Sequence, residues 1–281
     1  MQREGMRAWW REGALRFGVR AVPRLAASDD VSVRVVIAGL CRTDVAVARG
    51  QLACAEPCVL GHEVAGVVEE VGPAVRGLAP GDRVACLPRV DAARVGVDRD
   101  GGFAERLVLP ERALARIPSG LDWRRAALVE PVAACLAVKR APLAGRVRVL
   151  GRGRIAALTR RVVVALGHAC VERDADVVIE TEGTAASLAE AMATAPERGL
   201  VVLKSRPPAP IAFDVAQAVT RELRLFAVGW ASFEDAFALL PSLRVDDLLG
   251  PVFPLDALGD LLAAPDDKKL FLAPEPDACA A

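Results

Sequence analysis

Two short stretches carry the side chains best suited to chemistry. Cys41-Arg42-Thr43-Asp44 follows an alternating apolar run, and Gly61-His62-Glu63 comes after a segment long enough to fold back onto it. A thiolate, an imidazole and a carboxylate are ligand types that zinc accepts. Taken singly, a cysteine or a histidine is more often a packed side chain or a satisfied hydrogen bond. The chain has only two histidines, His62 and His168, so chemistry that needs an imidazole must use one of them. The seven cysteines, at 41, 54, 58, 86, 135, 170 and 279, are odd in number and form no close CxxC pair. That argues against a disulfide framework and against the usual four-cysteine zinc site. A third stretch, Gly151-Arg152-Gly153-Arg154-Ile155-Ala156, follows a short apolar strand and opens a helix. Backbone amides at such a helix start can hold a pyrophosphate, and Arg152 and Arg154 either grip that phosphate or occupy its place.

The elements that must position these residues change in texture along the chain. Of 281 residues, 53% are hydrophobic, enough to bury one large domain or two ordinary ones. Thirty-six basic against thirty-six acidic side chains leave no net field to hold a nucleic acid or an anionic membrane. No apolar run reaches the roughly 18 residues of a membrane span, and Met1-Gln2-Arg3-Glu4-Gly5 lacks a signal-peptide stretch, so the expectation is a soluble cytoplasmic protein. Residues 1–118 read as strand and turn: Val31, Val33 and Val35 alternate with Ser32 and Arg34, and Gly81-Asp82 and Gly101-Gly102 punctuate like turns. Residues 119–251 alternate strand and helix, with strands expected at 147–150, 177–180 and 200–203. Helices are expected from Ile155, Leu158, Val162 and Leu166, and from Thr184 as a cap before Leu188 and Met192. Such alternation means a parallel sheet covered by helices.

Gly61-His62-Glu63-Val64-Ala65-Gly66 through Gly72, Gly81-Asp82-Arg83-Val84, Gly102-Phe103-Ala104-Glu105, Leu128-Val129-Glu130-Pro131 and Phe253-Pro254-Leu255 together resemble the medium-chain dehydrogenase/reductase superfamily. The resemblance is to its zinc-dependent alcohol and polyol branch. It implies an α/β fold: a GroES-like β-rich catalytic domain, 1–118 completed by 252–281, and a Rossmann-like cofactor domain over 119–251. It implies one catalytic zinc on Cys41 and His62, with Glu130 as a further ligand and Glu63 either a direct ligand or one that exchanges with bound water. Asp44 then orients His62, Thr43 passes the substrate proton, and Arg42 contacts the cofactor pyrophosphate together with Gly151, Gly153 and Ala156. The implied reaction interconverts an alcohol or polyol and a carbonyl with NAD or NADP, in a homodimer paired through the cofactor lobe.

Two departures bear on that picture. Between Val84 and Gly101 there is only Cys86 where zinc-binding relatives often carry a four-cysteine lobe, so no structural zinc is expected. In the cofactor lobe, Asp174 stands at a plausible offset for an acid on the adenosine ribose, yet the next strand candidate begins at once. Three connecting residues reach at most about 14 Å, while a five-residue strand is about 17 Å long and a parallel crossover needs a dozen or more residues. The sequence therefore reads as lacking a helix, a strand and a second helix from the adenosine half, with His168 in a loop. A truncated cofactor domain leaves open a second reading, a zinc-dependent lyase, cyclase or hydrolase that has lost dinucleotide binding, and a third, a non-catalytic scaffold.

Overall fold

The computed structural model describes residues 5–207 and 209–279; Met1 to Glu4, part of the stretch read for a signal peptide, lies outside the described residues. The chain divides into two compact units, Met1–Glu130 with Leu249–Pro265 and Lys269–Ala281, and Pro131–Leu248 with Asp266–Lys268. Among the described residues no helix is long and apolar enough to cross a membrane.

In the first unit, strands β1 (Gly5–Glu12) and β2 (Ala14–Ala21) form an antiparallel hairpin about Gly13. Strand β3 (Asp30–Gly39) then leads into helix α1 (Arg42–Ala48). The short β4 (Cys58–Val59) pairs with β1, and β5 (Glu63–Val71), β6 (Arg83–Cys86), a small β7 (Arg89–Val90) and β8 (Ala93–Arg94) hairpin, β9 (Arg106–Pro110) and β10 (Leu114–Arg116) follow. Strand β3 is central, bonded to β5, to β9 and to a strand from the end of the chain. That explains why Val35-Val36-Ile37-Ala38 is apolar without interruption: a strand with neighbours on both sides and cover on both faces buries every residue. The inward side chains join Leu60, Phe103, Leu107 and Leu109 in one core.

The unit runs on past residue 118, where composition alone places the division, to Glu130. Helix α2 (Trp123–Ala127), capped by the Asp122 carboxylate, packs on β3 and β5. Arg83 from β6 holds it there, stacking 4.0 Å above the Trp123 ring while donating to the Leu121 carbonyl. The division falls inside helix α3 (Val129–Leu136), between Glu130 and Pro131.

The second unit is built on parallel strands β11 (Arg146–Leu150), β12 (Ala169–Cys170), β13 (Val177–Glu180), β14 (Leu200–Leu203) and β15 (Arg224–Ala227), in the order β12-β11-β13-β14-β15. Helices α4 (Gly153–Ala165), α5 (Ala185–Thr194), α6 (Val215–Thr220) and α7 (Phe233–Leu239) intervene, and Thr184 caps α5 through the Ser187 amide, where the sequence places that cap. The chain then returns to the first unit through β16 (Leu249–Pro254), α8 (Leu258–Leu261) and β17 (Lys269–Ala273), the last pairing with β3. A β-rich lobe and a parallel sheet with helices are both present.

The shortened half of the second unit closes in a simple way. Strand β12 is only two residues long and pairs with Arg146 and Val147, at the start of β11. The chain therefore has no strand length to retrace: Val171 donates to the Val147 carbonyl, Asp176 to that of Arg146, and β13 begins on the other side of β11. His168 lies in the loop before β12. Beyond β12, the outward carbonyls of Val149 and Gly151 lack a strand partner, and the Arg160 guanidinium of α4 donates to both, at 2.9 and 3.0 Å. An arginine thus does the hydrogen bonding of an absent strand. Arg160→Ala is expected to lower stability by about 1–3 kcal/mol in urea unfolding; an unchanged midpoint would contradict this role.

Candidate active site

One buried carboxylate ties the two chemical stretches together. Cys41 is the N-cap of α1, in extended conformation, and Asp44 is the third helical residue. The Asp44 carboxylate accepts from the Cys41 amide at 2.9 Å and from the Gly61 amide at 3.2 Å, and its Oδ1 lies 3.3 Å from His62 Nδ1. It is fully buried, so losing any of these partners would leave a desolvated charge. The loop reaches it because residue 61 is glycine: φ is +95°, and a Cβ there would lie 2.8 Å from the Phe103 amide nitrogen. The outcome is that Cys41 Sγ, a His62 ring nitrogen and a Glu63 carboxylate oxygen all lie within 4.8 Å of one another.

Burial works against a charged His62 ring, but the neighbouring Asp44 and Cys41 outweigh it and raise its pKa well above the ordinary value. Nδ1 has no aligned hydrogen bond, so Asp44 acts on the ring mainly through charge and position. With Nδ1 turned toward Asp44, Nε2 is the nitrogen left for the cluster. Burial pushes the thiols of Cys58 and Cys86 up to about 12, and neither lies in the cluster.

Glu63 has a partner that sequence reasoning missed. Strand β3 runs between β5 and β17, and its Gly39 sits opposite Glu63 on one side and Phe271 on the other. Because Gly39 has no side chain, the Lys269 ammonium passes over it to a very short contact with Glu63 Oε2, and donates to the Leu40 carbonyl at 3.0 Å. A Cβ on Gly39 would lie 3.1 Å from Lys269 Cδ and 3.3 Å from Glu63 Cβ, and would strike the carboxylate itself. Lys269 and Glu63 are 0% and 1% exposed. A signal existed: in Lys269-Leu270-Phe271-Leu272 the period of two puts Lys269 on the face of Phe271, which is fully buried.

The remaining candidates are distributed as follows. Arg42 and Thr43 occupy the first two positions of α1, Arg42 exposed and Thr43 half-buried. Glu130 is buried in the first turn of α3 and lies outside the three-residue cluster. Gly151, Gly153 and Ala156 lie in the second unit, where α4 starts after β11, and buried Ala156 packs 3.4 Å from the Cβ position of Gly151. Asp174 is not at the end of a strand: it is an exposed residue of the turn between β12 and β13, beside the start of β11. The glycines follow the other end of β11, about 13 Å away at 3.3 Å per residue. Asp174 therefore fails as a ribose acid.

The donor set of a soft thiolate, an imidazole and a carboxylate, close together and mostly buried, fits a zinc ion. The second unit fits a dinucleotide only in part. Strand, glycine turn and helix are present, but the Arg152 amide already donates to Glu182 Oε1 at 2.8 Å, and the Arg154 amide to the Asp266 carbonyl at 3.1 Å.

Comparison with known proteins agrees with this architecture. Residues 27–119 match the alcohol dehydrogenase GroES-like domain. The chain is 37% identical over 148 residues to "Probable D-xylulose reductase A" of Arthroderma otae, covering 45% of this chain and 42% of that protein. It is 29% identical over 176 residues to galactitol 1-phosphate 5-dehydrogenase of Escherichia coli K12, covering 56% and 51%. The matches thus span about half the length of these curated relatives. A structure described as a zinc-binding dehydrogenase from Sinorhizobium meliloti 1021, bound to NADP, superposes with a TM-score of 0.86 at 25% identity, covering 96% of this chain and 99% of that one. The chain shares its fold with that zinc-binding dehydrogenase, and its first unit contains an alcohol dehydrogenase GroES-like domain. Within the first unit Glu63 and Lys269 form a fully buried ion pair, and removing one partner strands the other. Lys269→Met is expected to destabilise the metal-free protein by about 3–5 kcal/mol, with most of the loss recovered in Glu63→Gln/Lys269→Met. Urea unfolding of the four proteins checks this, and a silent single substitution would contradict it.

Proposed function

We propose that the chain is a zinc-dependent oxidoreductase that interconverts an alcohol or polyol and its carbonyl compound, with NAD or NADP as redox partner. The observation that carries this reading is the convergence of Cys41, His62 and Glu63 on one small, largely buried volume, in a frame shared with dehydrogenases of that class. In this reading the first unit is the catalytic domain and the second the cofactor domain.

Cys41 Sγ and His62 Nε2 hold the ion, with Glu63, and Glu130 from α3, as further carboxylates toward it. When bound, zinc acts as a Lewis acid on the substrate oxygen. The chain's own residues do the rest. Asp44 fixes the ring of His62 and, through the Cys41 and Gly61 amides, the spacing of the two ligands. The Thr43 hydroxyl, two residues from Cys41, passes the alcohol proton. Lys269 holds Glu63 in place by supplying the opposite charge at a fully buried position. Arg42, exposed at the head of α1, offers a fork to a phosphate.

The second unit supports pairing of two copies. Strand β15 ends the parallel sheet, and Leu225 on it, with Val215 and Val219 of α6, is exposed. Such an edge invites a second strand, and a homodimer through this lobe is the assembly we propose.

Cys41→Ala is expected to lower bound zinc and abolish turnover of polyols or ketones by the zinc-loaded protein, with the circular dichroism spectrum unchanged. Full activity in that variant would remove the zinc mechanism. Zinc binding by the parent protein without oxidation of any alcohol or reduction of any ketone, with either nicotinamide cofactor, would remove the redox reading.

A further inference from the structure

The start of α4 is built for an anion and already holds acidic groups of its own chain. Arg152 is the N-cap of this 13-residue helix, and its amide donates to Glu182 Oε1 at 2.8 Å. The Glu182 side chain reaches it across the glycine turn, its Cγ only 3.0 Å from the place a Cβ on Gly151 would take. Two residues further, the Arg154 amide donates to the Asp266 carbonyl at 3.1 Å, and the Arg154 guanidinium meets the Asp266 carboxylate at 2.7 Å. Arg154 is 2% exposed, and its Nε and Nη1 have no hydrogen-bond partner among the described residues. A buried guanidinium with two unmet donors is under-satisfied. It adds to the partial positive charge of the helix start.

Glu182 is held ready by a rigid turn. Glu180, buried at the end of β13, accepts from the amides of Glu182 and Gly183 at 2.6 and 2.7 Å and from the Ser187 hydroxyl at 2.7 Å. The backbone is thus fixed from below, and only the Glu182 side chain, which is half-buried, needs to rotate to free the amide. A carboxylate and a diphosphate cannot share that amide, and at close range their like charges repel.

We infer that Glu182 is a tethered competitor for the diphosphate of the dinucleotide, so that its carboxylate sets cofactor affinity. This rests on the nicotinamide reading above. A tethered group seated for nine-tenths or more of the time reduces apparent affinity by about ten-fold or more, because only the open fraction binds.

The test uses the zinc-loaded full chain and titrates ADP-ribose, NADH and NADPH by calorimetry. Glu182→Ala is expected to bind at least about ten-fold more tightly than the parent. Glu182→Gln, of the same shape but uncharged, is expected to fall between the two and guards against an effect of misfolding. Glu197→Ala removes the same charge from an exposed site without contact to the helix start and is expected to bind as the parent does. Equal or weaker binding by both Glu182 variants, with the parent binding measurably, overturns the competitor role and leaves the nicotinamide reading standing. Equal tightening by Glu197→Ala also overturns it, since general charge would then explain the gain. No binding of any probe by any of these proteins overturns the role and the nicotinamide reading together.

Discussion

A lysine and a glutamate buried against each other across a glycine set the terms for the candidate metal site. Burying either charge alone would cost several kcal/mol, so neither Lys269 nor Glu63 belongs at its position without the other. Their meeting requires β5, β3 and β17 to lie in that order, the middle strand to carry no side chain at residue 39, and the end of the chain to return to the first unit. The pair therefore couples β17 to the loop that presents His62. Asp44 completes the arrangement on the other side, joining the head of α1 to Gly61. Between these two anchors the sulfur of Cys41 and the ring of His62 have little freedom of position. That is the preorganisation a metal ligand set needs.

Much of this was legible in the sequence because local chemistry and global fold agree there. The strands at 177–180 and 200–203 and the Thr184 cap follow directly from apolar runs and capping chemistry. The ligand candidates Cys41, His62 and Glu63 are recognisable by type, and their juxtaposition follows once Gly61 is seen as a residue that only glycine can fill. The end of the first unit was less legible. A change of composition near residue 118 marks where helix begins, but α2 is held on the β-sheet by Arg83 and Trp123, a tertiary stacking contact with no local signature. Lys269 was hidden for a related reason: a lysine before an apolar strand reads as a solvated flank unless the strand's phase is followed backward from Phe271.

The second unit shows how a sheet adjusts when part of its fold is absent. Connection lengths alone exclude two full strands between residues 168 and 180, and the chain resolves this with a two-residue strand and a turn around the start of β11. The same solution moves Asp174 to the wrong end of the sheet and leaves carbonyls that Arg160 must satisfy. It also leaves the glycine turn in place, with the Glu182 carboxylate on the Arg152 amide and Asp266 on Arg154. No spacing rule pointed to Glu182 or Asp266, since both come from elsewhere in the chain.

The most direct measurement is anomalous diffraction at the zinc edge from crystals of the zinc-loaded protein. The account predicts one strong peak within bonding distance of Cys41 Sγ and His62 Nε2, with Glu63 still paired to Lys269. A peak bound to other residues, or no peak at this cluster in protein shown to contain zinc, would contradict it.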